Sequence, residues 1–197
     1  MKYNLTIASG VVAFLTILTS CVNTARPTDT AVTKDSLIKR GHYLVTIMGC
    51  NDCHTPLKMG PHGPERDQDR LLSGHPEYMP VARFDTTSTR NWVLFSFSGT
   101  SAVGPWGTSF SGNLTSDATG IGNWTEEQFK RAITQGKFKG LDAGRQLLPP
   151  MPWESYANLK DEDVKAIFAY FLTENERRML AIIEDNSSTA AREAEDK

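Results

Sequence analysis

Apolar residues first gather as a block. Leu5 to Leu18 is interrupted only by small residues and threonines, and Lys2 precedes it. Such a run is too short to cross a bilayer comfortably and matches the apolar region of an export signal. From Thr33 the pattern changes to helical spacing. Leu37, Ile38, Gly41, Leu44, Val45 and Met48 recur three or four residues apart and predict a first helix beginning near Thr33 or Asp35 and running straight into the sequence from Cys50 to His54. Gly41 costs about 1 kcal/mol there relative to alanine, which predicts close approach of another helix. Thr125-Glu126-Glu127-Gln128 has capping-box form and opens a second helix, with Phe129, Ala132 and Ile133 inside and Gly136 as its stop. A third helix is predicted from near Asp161. Val164, Ile167, Phe168, Phe171 and Leu172 share its apolar face, with Tyr170 flanking it. The pattern allows it to run on, with a break near Asn175, through Met179, Ile182 and Ile183.

Between these helices the periodicity fades. Thr55 to Pro80 is rich in proline, glycine and charge, including Gly60-Pro61-His62-Gly63-Pro64, and reads as loop. Asn91 to Ser98 is aromatic and β-prone, so a short strand or hairpin arm is expected there. Gly99 to Gly122 reads again as loop, with Gly104-Pro105 as a turn. The overall expectation is an all-α domain over residues 33–184 with long loops and at most a short hairpin. Residues 21–32 are polar and threonine-rich, a flexible tether, and residues 185–197 form a polar tail expected to be disordered.

Composition adds little until the cysteines are placed. The chain has 197 residues and a formal net charge of -2, too mild to suggest a nucleic acid or a strongly charged partner. Two of the three cysteines lie in Cys50-Asn51-Asp52-Cys53-His54, a C-x-x-C-H sequence. Two thiols three positions apart can each form a thioether to a vinyl group of a haem, and the adjoining imidazole is then held against the iron. Two other readings compete. A thioredoxin-like pair wants a preceding strand and a βαβ context, and a structural zinc site wants a second cysteine pair; neither is evident here. The remaining Cys21 follows Leu18-Thr19-Ser20, which resembles a bacterial lipobox. Residues 1–20 then read as a lipoprotein signal peptide and Cys21 as the acylated residue, while a plain signal peptide or an uncleaved anchor is the alternative. Export also suits haem attachment, which bacteria carry out on the outer face of the cytoplasmic membrane.

An iron held by His54 needs a ligand on its other side. Six methionines and His42, His62 and His75 are candidates. Met151 lies in Leu147-Leu148-Pro149-Pro150-Met151-Pro152-Trp153, where three prolines stiffen the chain around a weak thioether ligand. Its place after the C-x-x-C-H sequence and before the closing helix selects it. His42 is expected to be an exposed helix side chain, and His62 and His75 lie in loops.

With these residues in view the chain resembles a class I c-type cytochrome, and more closely the cytochrome c domains that accompany bacterial respiratory dehydrogenases. The resemblance runs over about residues 35–174. It is carried by Gly41, Cys50 to His54, Gly74-His75-Pro76, Asn113 to Asp117, Thr119 to Trp124, Phe129, Gly136, Pro150-Met151-Pro152, Tyr156, Leu159 and Ala166 to Tyr170. It implies a helical fold whose first and last helices cross beside the haem, with Gly41 meeting Tyr170. The chain departs from its relatives in three ways. One C-x-x-C-H implies one haem c where many relatives have two. Lys160 stands where a serine or threonine usually caps the last helix, a loss of about 1 kcal/mol. The span from His54 to Met151 is longer than in compact cytochromes.

The expected function is one-electron transfer by a covalently bound haem with His54 and Met151 as axial ligands, without catalysis on a small molecule. Expected partners are redox proteins of a respiratory chain, a dehydrogenase or a terminal oxidase, and the membrane through the lipid on Cys21. That places the protein on the periplasmic side of a bacterial membrane. A subunit of a periplasmic dehydrogenase complex is the alternative, and a haem-based gas or redox sensor a further one.

Overall fold

The computed structural model describes residues 33–81 and 83–173. The expected signal peptide, Cys21, the tether, the helical continuation past residue 173 and the tail lie outside the described residues.

Helix α1 spans Lys34–Ile47 and begins as its sequence predicts: Thr33 is the N-cap, its hydroxyl accepting from the Ser36 amide at 3.1 Å. Ile38, Gly41, Leu44 and Val45 form its buried stripe. The helix was expected to run straight into the cysteine motif and does not. Gly49 turns left-handed (φ 68°) and starts a separate short helix, α2, Cys50–His54. Helix α3, Glu126–Gln135, carries the predicted capping box in both directions and stops at left-handed Gly136. A single turn, α4, covers Trp153–Tyr156, and residues 161–173 form helix α5.

The core lies where α1, α3 and α5 meet. Phe129 packs against Phe168 and Phe171, and Val45, Val164, Ile167 and Ile133 complete the apolar centre. Helices α1 and α5 touch backbone to backbone at Gly41. A Cβ there would overlap the Ala166 carbonyl and come within 2.7 Å of Tyr170 Cβ, which is the reason for a glycine in mid-helix. Arg40 closes the same crossing by donating to Asp163 at 2.9 Å.

The all-α expectation needs correction, because two small antiparallel sheets occupy the span between α2 and α3. Strands β1 (Leu57–Gly60) and β2 (Gly63–Arg66) pair as a hairpin; β3 (Leu94–Phe95), β4 (Ser101–Gly104) and β5 (Gly107–Phe110) form a three-stranded sheet in that order. Both hairpins turn on the same device, Gly60-Pro61-His62-Gly63 and Gly104-Pro105-Trp106-Gly107. Proline sets the first corner position. The closing glycine takes a positive φ, 119° and 99°, that other residues resist. The expected arm at Asn91 to Ser98 is present as β3, while β1, β2, β4 and β5 fall in segments read as loop.

Candidate functional site

Short α2 puts Cys50, Cys53 and His54 within a turn and a half of helix. Neither cysteine is joined in a disulfide, and both are half-buried. Burial, with Asp52 and Cys53 adding to it, pushes the Cys50 thiol up to about 11, and burial followed by Asp52 raises Cys53 as well. Burial thus disfavours the thiolate form of both side chains. Among the described residues no group of three or more histidine, cysteine or acidic side chains is placed to hold a metal ion by itself.

His54 is oriented from outside its helix. Its Nδ1 lies 2.7 Å from the Gly112 carbonyl, so Nδ1 carries the proton and Nε2 keeps its lone pair. Burial lowers the His54 pKa and the Gly112 bond opposes that shift, leaving the neutral ring that a metal requires. The loop supplying Gly112 is fixed on both sides. Asn113 Oδ1 accepts from the Thr115 amide and hydroxyl, and its Nδ2 donates to Thr119. Asp117 accepts from the amide and hydroxyl of Thr119. Leu72 joins this loop to the cysteine motif. Buried and held left-handed (φ 61°), it donates its amide to Thr55 Oγ1 and accepts from the Leu114 amide, both at 2.9 Å.

Met151 is half-buried on a segment pinned at both ends. The Leu147 amide donates to the Gly136 carbonyl, and Ser109 Oγ on β5 donates to the Pro149 carbonyl, both at 2.6 Å. Behind the segment, the Trp153 ring packs on Gly136. Ser109 and Gly112 are three residues apart, so the anchor of the methionine segment and the anchor of the imidazole lie within roughly 11 Å of each other even on fully extended chain. Tyr156 ties the two halves again. Its hydroxyl donates to the Met48 carbonyl at 3.2 Å, and its pKa is raised by burial first and then by Cys50 and Cys53.

The other histidines are placed differently. Both His75 nitrogens are engaged within the protein, Nδ1 with Thr100 Oγ1 at 2.9 Å and Nε2 with the Met79 carbonyl at 3.2 Å. His42 is exposed on α1 with its ring against Tyr170, and His62 is exposed at the β1–β2 turn. Two contributors were not evident in the sequence: the Gly112 carbonyl and Ser109. A backbone carbonyl has no signature in side-chain chemistry, and one serine among many gives no signal. Trp106 lies across Gly104, and its Nε1–H is buried without an acceptor in the protein, an arrangement that costs about 1–3 kcal/mol.

No family model matches the chain. Individual proteins do. It is 34% identical over 138 residues to the fructose dehydrogenase cytochrome subunit of Gluconobacter japonicus, covering 70% of this chain and 21% of that protein. The gluconate 2-dehydrogenase cytochrome c subunit of Pantoea cypripedii is 32% identical over 139 residues, covering 70% and 23%. The cytochrome c subunit of the quinone-dependent alcohol dehydrogenase of Gluconobacter oxydans is 32% identical over 139 residues, covering 70% and 21%. The chain spans about a fifth of the length of the curated relatives it matches.

Proposed function

We propose that this chain, a relative of the cytochrome c subunits of bacterial dehydrogenases, is a one-haem electron carrier that works as a dehydrogenase subunit. When bound, the haem supplies a one-electron iron couple. Cys50 and Cys53 would hold it by thioethers, His54 by Nε2 and Met151 by its sulfur. The polypeptide orients and shields. The Gly112 carbonyl fixes the imidazole, and Ser109 and Gly136 hold the methionine segment. With His54 and Met151 both serving as ligands, no position would be left for a substrate, and the chain would pass electrons without making a bond. A thioether ligand beside an imidazole would favour the reduced iron and raise the potential above that of a two-histidine site.

The observation that carries this reading is an imidazole committed through Nδ1 to the Gly112 carbonyl, directly following two cysteines that are not joined in a disulfide. The names of the relatives favour a subunit over a free shuttle. The lipid on Cys21 and the periplasmic face of a bacterial membrane belong to the same proposal, and rest on the lipobox-like Leu18 to Cys21 and on the site of haem attachment.

The test is expression of the full chain in a bacterium able to mature c-type cytochromes. One haem per chain should resist extraction by acid acetone. Met151→Ala should bind carbon monoxide rapidly when reduced and show a lower potential. Colourless protein, or pigment released by acid acetone, would overturn the proposal, and an unchanged Met151→Ala protein would remove that ligand.

A further inference from the structure

Residues 91–98 form an arm that the core does not use. Leu94 and Phe95 are neighbours on β3 and point to opposite faces of the sheet, yet both are exposed. Trp92, Phe95 and Phe97 are 68%, 54% and 57% exposed, and Val93 between them is exposed too. The apolar area they present is on the order of 500 Å², at 150–250 Å² for a whole aromatic side chain. That equals the largest apolar patch of an ordinary monomer and most of the roughly 800 Å² that one partner gives to a stable interface.

Charge distribution points the same way. The exposed run Asn91 to Phe95 and the exposed Phe97 carry no charge, in a chain 22% of whose residues are charged. Exposed surface normally carries such charges, and interface centres shed them while gaining tryptophan and phenylalanine. A membrane-inserting loop would flank its aromatics with several lysines or arginines, whereas Arg90 is the only basic residue from Thr86 to Ser116. The arm also has a fixed base. The Leu57 amide donates to the Ser98 carbonyl at 2.9 Å, and a Cβ on Gly99 would stand 3.2 Å from the Asp52 carbonyl. A protein seated on the arm is thus held beside helix α2, which carries Cys50, Cys53 and His54.

We infer that the arm, centred on Trp92, Phe95 and Phe97, is the docking surface for an uncharged, apolar face of the dehydrogenase subunit that supplies electrons. This rests on the electron-transfer reading above. It makes the association permanent and insensitive to salt, where a shuttle docking through charges would be released by salt.

The experiment places a benzoylphenylalanine photocrosslinker at position 95 of the full chain in its producing cells, with position 43 on exposed α1 as control. Irradiation should join position 95, and not position 43, to a dehydrogenase subunit identified by mass spectrometry. The uncrosslinked complex should survive 1 M NaCl. Trp92→Ser with Phe95→Ser should weaken the complex at least tenfold while the haem spectrum stays unchanged. An adduct between two copies of this chain, an adduct with phospholipid, or no adduct overturns the inference. So does an intact complex with an altered haem spectrum, which would assign the arm to packing against the cofactor. Colourless protein would mark failure of the electron-transfer reading instead.

Discussion

Removing the Ser109 hydroxyl isolates how the methionine segment is held. In the structure that hydroxyl donates to the Pro149 carbonyl at 2.6 Å, two residues before Met151, with a longer contact of 3.3 Å to the Ala102 carbonyl. A net hydrogen bond of this kind is worth about 0.5–1.5 kcal/mol. On the proposed ligation it acts on the equilibrium between an attached and a detached thioether. Ser109→Ala should therefore raise the detached population by roughly two- to twelvefold, since 1.4 kcal/mol is a factor of ten. The assay is stopped-flow binding of carbon monoxide to the reduced protein, because carbon monoxide enters only when the sulfur has left. Its rate should rise by that factor and the midpoint potential should fall. Ser111→Ala, whose backbone bonds are unaffected, is the control and should leave both unchanged. An unaltered rate in Ser109→Ala would refute the view that β5 holds this ligand in place.

Other outcomes follow from single contacts. Gly41→Ala gains about 1 kcal/mol of helix propensity but forces a methyl into the Ala166 carbonyl and Tyr170, an overpacking worth about 1–3 kcal/mol. The melting temperature should fall, and a rise would show that the helices separate freely. In chain made without haem attachment, burial raises Cys50 to about 11 against an ordinary thiol near 8.5, so this stabilisation is complete below about pH 8.5 and is lost as pH rises toward 11. Iodoacetamide at pH 8.5 should modify folded Cys50 far more slowly than the urea-unfolded chain; equal rates would contradict the burial. Cys21→Ser should release the protein from membranes with its absorption spectrum intact, and continued membrane retention would remove the lipid anchor from the proposal.

Wherever the chain repeats a pattern, the sequence was legible. Thr33, the Thr125–Gln128 capping box, Gly136 and the stripes of α1, α3 and α5 all lie where spacing placed them, because a helix is decided by neighbours within four residues. The two hairpins were not legible as sheets. Their strands have two to four residues, too few to display alternation, and the exposed pattern of β1 and β2 gives no apolar face to read. The repeated Gly-Pro-x-Gly was the available sign, and it marked the corners without revealing what pairs across them. The break at Gly49 was missed for a similar reason. A glycine inside an apolar pattern is tolerated in a helix until backbone geometry demands a positive φ.

By itself the sequence determined the reactive chemistry: two thiols and an imidazole at fixed spacing, a proline-stiffened methionine, and a glycine where helices must touch. Only the tertiary structure decided how that chemistry is aimed. The Gly112 carbonyl selects the ring nitrogen of His54, and Ser109, three residues earlier, fixes the methionine segment. His75, a candidate by composition, has both nitrogens bonded within the protein. The physical reason is that spacing along the chain encodes local geometry, whereas orientation depends on backbone groups brought close by packing, and every residue offers those groups alike.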